Sequence, residues 1–498
     1  MKSTSFFLKN VCCATIIAAA LAMANSGCRT NKDILNDYEK SLIEGNYSLS
    51  VAEVEEKADD GGVDELMWRL HAGSSRYLLN DGPFAIAQFD KAEDIFIKND
   101  QTSTFKQGST GAFAMISNDR AFPYAGGGED RIFTCFYKAV DYARKGNLDA
   151  MRTELNRAAQ HQDNWLWERK KEIAEAAEKL KKDADEYTKD KGGSQKDDID
   201  NSKSSEAAST AFENESLSSL IKDKCDFDAA SDGNVETLSR KDWLNKYVQY
   251  ATGVFRWASG DSDGAAYIKE IAEIDPENTL AKTDFQAAST GAKPTNQVWI
   301  FIEDGLGPVR EEWRLDLPLV LIPYANRFIL YAGMALPYLR YRPEASSSYE
   351  VSSGGNSTGL VLLQDVDKLI KTEFDVYFRE ALIREITRTI VKASVQVALG
   401  VVAENASDNY TKIALRGAQI AAAAWAAAVT QADLRCWSAL PKKVYAIRVP
   451  RPADGTIRIT AAGAPVAEAI VPEGNSFVFV RKTSPAAAAV VKTATLPK

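Results

Sequence analysis

Residues 118–131 bring side chains capable of chemistry together in a glycine-rich loop. Asn118, Asp119, Tyr124, Glu129 and Arg131 surround three consecutive glycines, Gly126, Gly127 and Gly128. Two carboxylates across a cleft can cleave a glycosidic bond, and Asp119 with Glu129 is such a pair by type. The same residues can also do purely structural work. Asn and Asp cap helix starts, and a carboxylate can clamp an arginine, as Glu129 could clamp Arg131. Tyr124 offers a ring and a hydroxyl to a partner at low entropy cost. The glycine run lacks the Lys-Ser/Thr that completes a phosphate loop. With 2 His in the chain, a His-rich metal centre or a Ser-His-Asp arrangement has little to be built from. The structural use is the leading expectation for Asn118, Asp119, Glu129 and Arg131, with a clamp at Arg131; the functional reading makes Asn118, Asp119, Tyr124, Glu129 and Arg131 a candidate partner-binding rim, with Tyr124 as its contact. No catalysis, cofactor or metal is expected.

The elements around this loop are helices. FTCFYKAVDYARKGNLDAMRTELNRAAQ reads as two amphipathic segments joined at Gly146-Asn147, with Glu154 and Arg157 on the second. Two hairpins precede it, one broken at Gly45-Asn46 and one turning at Asp81-Gly82-Pro83. In the latter, Gly73, Ala85, Phe89 and Ala92 fit the rule of small residues where helices cross and a bulky one behind them. A fourth hairpin spans DWLNKYVQYATGVFRWASGDSDGAAYIKEIAEIDPEN. Between the third and fourth, NWLWERKKEIAEAAEKLKKDADEYTKD reads as a charged helix packed on one side through Trp165, Leu166, Ile173 and Leu180. Residues 191–216 hold too few apolar side chains to offset ordering, and are expected to be disordered.

The first 27 residues read as an export signal. Lys2 and Lys9 precede VCCATIIAAALAMA, an apolar stretch too short to span a bilayer. Two processing sites compete: the A-x-A at Ala22-Met23-Ala24, and a lipobox-like Asn25-Ser26-Gly27-Cys28 that would lipidate Cys28. The second is the leading expectation; the first would leave a free periplasmic protein. Of the 6 Cys, Cys135, Cys225 and Cys436 remain beyond Cys28. They make no metal pair and no disulfide framework, though Cys225 and Cys436 could pair in an oxidising compartment. Net charge is −9, which argues against nucleic acid as a partner.

After Pro294 the pattern turns to strands. QVWIFIEDG, VREEWRLDLPLVLI and MALPYLRYRP read as strands, SSSYEVSSGGNSTG as a loop, and FDVYFREALIREITRTIVKASVQVALG as a long helix. GAQIAAAAWAAAVTQADLR reads as a helix in a small-residue groove. Its alternative is a membrane-touching segment, 413–431. VYAIRVP, TIRITAA and SFVFVRK read as strands, and AAAAVVKTATLPK as a tail. Asp433 and Arg435 before Trp437 read as a clamp at a strand start over a buried indole.

Together these residues resemble a family of bacterial envelope proteins, mostly lipoproteins with tetratricopeptide-like repeats and no established activity. The matching positions are Asn118-Asp119, Tyr124, Gly126, Glu129, Arg131, Tyr137, Tyr142, Gly146, Glu154 and Arg157, then Glu303, Gly305, Pro308, Arg310 and Glu312, and last Ala432, Asp433, Arg435, Trp437, Leu440 and Pro441. Asp130, between Glu129 and Arg131, departs from the pattern.

The resulting expectation is an α+β chain. A signal (1–27) leads into a tetratricopeptide-like helical repeat domain (28–190 and 217–293) interrupted by a disordered insert (191–216). A β-rich mixed module with two long helices follows (294–498). Its expected role is a lipid-anchored scaffold or adaptor on the periplasmic side of the outer membrane, binding other envelope proteins. The alternatives are a cell-wall glycan-processing enzyme and a membrane-assembling component using the 413–431 helix.

Overall fold

The computed structural model describes residues 30–101, 119–191, 215–228, 231–316 and 329–496. Cys28, Asn118 and nearly all of the 191–216 insert lie outside them.

The first part is helical. Thr30 and Asp33 form a capping box at the start of α1 (Asn31–Glu44), and Gly45, with φ 73°, ends it in the left-handed region. Next come α2 (Ser48–Asp59), and the hairpins α3 (Glu65–Leu78) with α4 (Gly82–Gln101) and α5 (Gly128–Arg144) with α6 (Leu148–Lys191). The expected close crossing is present: a Cβ on Gly73 would lie 2.4 Å from the Phe89 ring. α6 is one continuous helix of 44 residues, so hairpin partner and charged helix are a single element. Its Trp165, Leu166 and Ile173 pack against Val235, Trp243 and Val376. Short α7 (Glu215–Cys225) and α8 (Arg240–Trp243) lead to α9 (Lys246–Ser259), α10 (Gly264–Ile274) and α11 (Thr279–Ala288).

The second part is mixed. Its strands are β1 (Gln297–Asp304), β2 (Val309–Asp316), β3 (Gly333–Arg340), β4 (Glu350–Ser353), β5 (Asn356–Gly359), β6 (Val361–Asp365), β7 (Lys443–Pro450), β8 (Thr456–Ala461), β9 (Ala464–Ile470), β10 (Ser476–Lys482) and β11 (Val490–Thr495). Two helices, α12 (Val366–Asn405) and α13 (Asn409–Val429), fall between β6 and β7. The central sheet runs β11-β10-β1-β7-β6, a second runs β5-β4-β8-β9, and β2 pairs with β3 alone. β1 is parallel to β10 and antiparallel to β7.

Alternation along β1 and β10 assigns the two faces of the central sheet. Trp299, Phe301, Phe477 and Phe479 join the core of the helical part, where Phe255 stacks on Phe477 with ring centroids 3.9 Å apart. Val298, Ile300, Ile302, Val478 and Val480 pack with Tyr349, Val351, Ile457 and Ile459 of the four-stranded sheet. β1 is therefore covered on both faces, which is why VWIFI is a continuous apolar run rather than an alternating one. β2 and β3 lie on α12 through Met334 and Leu336 against Phe374, Phe378, Leu382 and Ile386.

Several local readings need correction. SSSYEVSSGGNSTG is not a loop: it contains the β4–β5 hairpin, turning at Gly354 and Gly355 with φ of 59° and 90°. The long helix begins earlier than FDVYFRE, at Val366, where Asp365 caps it after strand β6. The expected tail is β11, an edge strand hydrogen-bonded to β10. Residues after Val429 leave the helix, so Asp433 and Arg435 sit in an extended connection and not at a strand start. Cys135, Cys225 and Cys436 are all free thiols.

Candidate functional site

The loop 119–131 was expected at a surface mouth. Most of it is instead an internal joint. Asp119, in a short 3-10 turn, accepts from Arg384 and Arg388 of α12, each at 2.8 Å. Burial would raise its carboxyl, but the two guanidinium groups outweigh it and hold the group well below the usual range. Tyr124 is 7% exposed, too buried for the expected partner contact. Its hydroxyl donates to Asp130 at 2.7 Å, and its backbone N–H donates to the Val63 carbonyl at 2.7 Å. Asp130 also accepts from the Gly127 N–H at 2.9 Å, closing the turn.

The glycines are explained by close approach. Gly126 takes φ 72°, and a Cβ there would meet the Phe96 ring at 2.5 Å. A Cβ on Gly127 would lie 2.7 Å from the Glu373 carboxylate, and one on Gly128 2.1 Å from Trp165. The reason for this crowding is electrostatic. The first N–H groups of α5 are unpaired helix-end donors at the positive end of the helix dipole. Glu373 of α12 fills that place: it accepts from the N–H groups of Gly128 and Glu129 and from the Trp165 indole N–H. The anion site that a glycine-rich helix start makes is thus satisfied from within the chain.

Glu129 and Arg131 do not clamp one another. Glu129 is 6% exposed and accepts from the Asn245 amide at 2.7 Å. Asn245 in turn caps α9, accepting from the Val248 N–H at 3.1 Å. Burial, with the negative Glu373 beside it, pushes the Glu129 carboxyl up to about 8, so it is protonated at neutral pH. Arg131 makes a two-pronged pair with Asp100 at 2.7 and 2.8 Å and lies over the Phe96 ring. Asp119 and Glu129, the candidate glycosidase pair, are engaged by different partners.

Glu154 and Arg157 belong to a separate cluster. Lys138 is buried with its ammonium 2.7 Å from both Asp90 and Glu93 and 3.1 Å from Glu154, and Arg157 adds contacts to Glu93 and Glu154. Glu93, Cys135 and Glu154 bring ligand atoms within 4.8 Å of one another, a metal set by type. The Lys138 ammonium already supplies the positive charge there, and burial pushes the Cys135 thiol well up, away from thiolate.

The motif near the C-terminus meets the loop directly. Arg435 grips Asp433 with two bonds of 2.8 Å. Its remaining donors reach the carbonyls of Phe122 at 2.8 Å, Val63 at 3.2 Å and Asp119 at 3.2 Å, and the Asp64 carboxylate at 3.1 Å. Trp437 donates its indole N–H to Ser74 on α3 at 2.6 Å. Of the other matched positions, Glu303 is buried and accepts from the hydroxyls of Tyr137 and Tyr247 at 3.2 and 3.0 Å. Glu312 accepts from the Ala432 N–H at 2.8 Å, and Arg310 lies over Tyr377.

Sequence reasoning missed Glu373, Arg384, Arg388 and Asn245, the partners that α12 and α9 bring to the loop. No local pattern marks a carboxylate that serves another helix's N-terminus 245 residues away. The two histidines are neutral at pH 7, each lowered to about 4 by burial. His71 faces the Met67 carbonyl through Nδ1 at 2.6 Å, so its Nε2 is left to accept from Ser438 at 2.9 Å. No family model, curated protein or solved structure matches the chain.

Proposed function

We propose that this chain is an exported, lipid-anchored envelope scaffold or adaptor, held by Cys28 and binding other envelope proteins through a tetratricopeptide-like helical array. One observation carries the reading. The side chains best suited to chemistry are spent on holding elements together: Asp119, Tyr124, Asp130 and Arg435 lock α12 and the 433–437 connection to the loop, and Glu373 and Glu129 lock α12 and α9 to α5. What such a molecule offers outward is a rigid frame rather than a reactive group, and rigid helical arrays serve as binding surfaces. The resemblance to envelope lipoproteins and the N-terminal signal pattern support an envelope location.

Two measurements test it. Metabolic palmitate labelling should mark the wild type and not Cys28→Ser, and Cys28→Ser should move to the soluble periplasmic fraction. Crosslinking in intact envelopes followed by affinity capture should recover a reproducible set of envelope proteins. Absence of label removes the anchor; absence of any specific partner from both detergent-soluble and periplasmic fractions removes the adaptor role.

A further inference from the structure

Three helices bring ligand-type atoms together where the second and third hairpins meet. Glu93 of α4, Cys135 of α5 and Glu154 of α6 place ligand atoms within 4.8 Å of one another. Each comes from a different helix, so no spacing in the sequence marks them. What the cluster can hold depends on which atoms are already engaged. Lys138 and Arg157 take one oxygen of each carboxylate: Glu93 Oε2 at 2.7 and 3.0 Å, and Glu154 Oε1 at 3.1 and 3.3 Å. The other two oxygens are placed differently. Glu93 Oε1 accepts from the Cys135 thiol, a weak donor, at 3.5 Å. Glu154 Oε2 is buried with no hydrogen-bond partner, on a side chain 5% exposed. An acceptor in that position has lost water and gained nothing in return.

Lys138 supplies part of the positive charge this cluster needs and not all of it. Asp90, Glu93 and Glu154 surround the Lys138 ammonium and the Arg157 guanidinium, so three carboxylates face two cations. The carboxyl of Glu154 is raised by burial and then by the negative Glu93 beside it, which reflects that shortfall. A divalent ion held by the two remaining oxygens and a Cys135 thiolate closes the balance. Three carboxylates and a thiolate then meet a lysine, an arginine and a doubly charged metal. The spacing suits zinc. Bonds of about 2.3 Å to sulfur and about 2.0 Å to oxygen, at a tetrahedral angle, put those two ligands about 3.5 Å apart. Cys135 Sγ and Glu93 Oε1 already have that separation, 3.5 Å. A sulfur ligand also favours zinc over calcium and magnesium, which take oxygen. Lys138 and Arg157 would stand behind the ligands and hold each carboxylate by its far oxygen, the part that outer partners play around metal sites.

We propose that Glu93, Cys135 and Glu154 form a Zn²⁺ site that pins α4, α5 and α6 together, with water as its fourth ligand. On binding, the Cys135 S–H bond breaks, its proton passes to solvent, and the sulfur bonds the metal with no change of oxidation state. The test uses the full chain, reduced, freed of metal with a chelator and titrated with Co²⁺. Cobalt reports a sulfur ligand through a thiolate-to-metal charge-transfer band. The wild type should show the band, and added Zn²⁺ should abolish it. Zn²⁺ should also raise the melting temperature in a concentration-dependent way. Cys135→Ala should lose the band. Glu154→Gln keeps the side chain's size and should bind Zn²⁺ at least ~10-fold more weakly, since loss of an outer partner alone costs about 10-fold or more. If Cys135→Ala fails to fold, as judged by circular dichroism, Glu154→Gln decides the matter. A wild type without the band overturns the proposal, as does Zn²⁺ affinity unchanged in Glu154→Gln. So does a band that survives Cys135→Ala, which would come from the other cysteines.

Discussion

Glu129 gives the sharpest quantitative test of the internal joint. Its carboxyl sits at about 8 in the folded chain against an ordinary 4.5, because burial and the neighbouring Glu373 disfavour its charge. A raised carboxyl binds its proton more tightly when folded than when unfolded. Below about pH 4.5 both states are protonated and the group is neutral to stability. As pH rises from there, the unfolded chain ionises while the folded one does not, and stability falls at about 1.4 kcal/mol per pH unit. The loss reaches about 3 kcal/mol at pH 7 and levels off near 5 kcal/mol above pH 8. Glu129→Gln keeps an oxygen for the Asn245 amide and removes the titration. Urea unfolding of both proteins from pH 5 to pH 9 isolates the effect, because every other titrating group cancels in the difference. The variant should gain on the wild type from pH 5 to about pH 8 and then level off, by a few kcal/mol in all. Parallel stability curves would mean that Glu129 is solvated or otherwise paired, and the account of the joint would be wrong.

Other consequences can be checked by melting curves. Arg435→Ala leaves Asp433 buried without its partner and strips three carbonyls of a donor; it should cost ~3–5 kcal/mol, whereas the same change at Arg131, whose partner Asp100 is 57% exposed, should cost under about 1 kcal/mol. Gly128→Ala drives a methyl into Trp165 and should destabilise by ~1–3 kcal/mol, with Trp165→Ala in the same chain recovering part of the loss. Ending the chain at Ala489 removes β11 and its Lys492, which reaches Asp141 at 3.2 Å and lies over the Tyr77 ring, and should abolish cooperative unfolding seen by near-UV circular dichroism.

The helices were legible because their apolar residues recur at helical spacing and their ends carry glycine: Gly45, Gly146 and Gly260 all take positive φ where the hairpins turn. The strong strands were legible because β-branched and aromatic residues run together in VWIFI and SFVFV. β4 and β5 were not, since each has 4 residues rich in Ser, and β9 was not because its APVAEAI is mostly alanine with a proline and a glutamate. β11 looked like a tail because its alternation pairs alanine and threonine with a lysine that burial alone does not predict. The Asp433–Arg435 clamp over Trp437 was legible, and it is present. The partners of the 119–131 loop were not: Asp119, Tyr124 and Glu129 are polar residues around glycines, and composition cannot say whether such a group faces water or the interior. That answer depended on α12, whose Glu373, Arg384 and Arg388 no local pattern in the sequence marks.

The parallel pairing of β1 with β10 bears on the order in which the chain can assemble. The partner of Val298 is Ser476, near the far end of the chain. Phe477 and Phe479, which close the core over Phe136, Phe255 and Trp299, arrive with it. A ribosome therefore releases most of this polypeptide before the residues that complete its interior are free, so folding of the central sheet is a late event by construction.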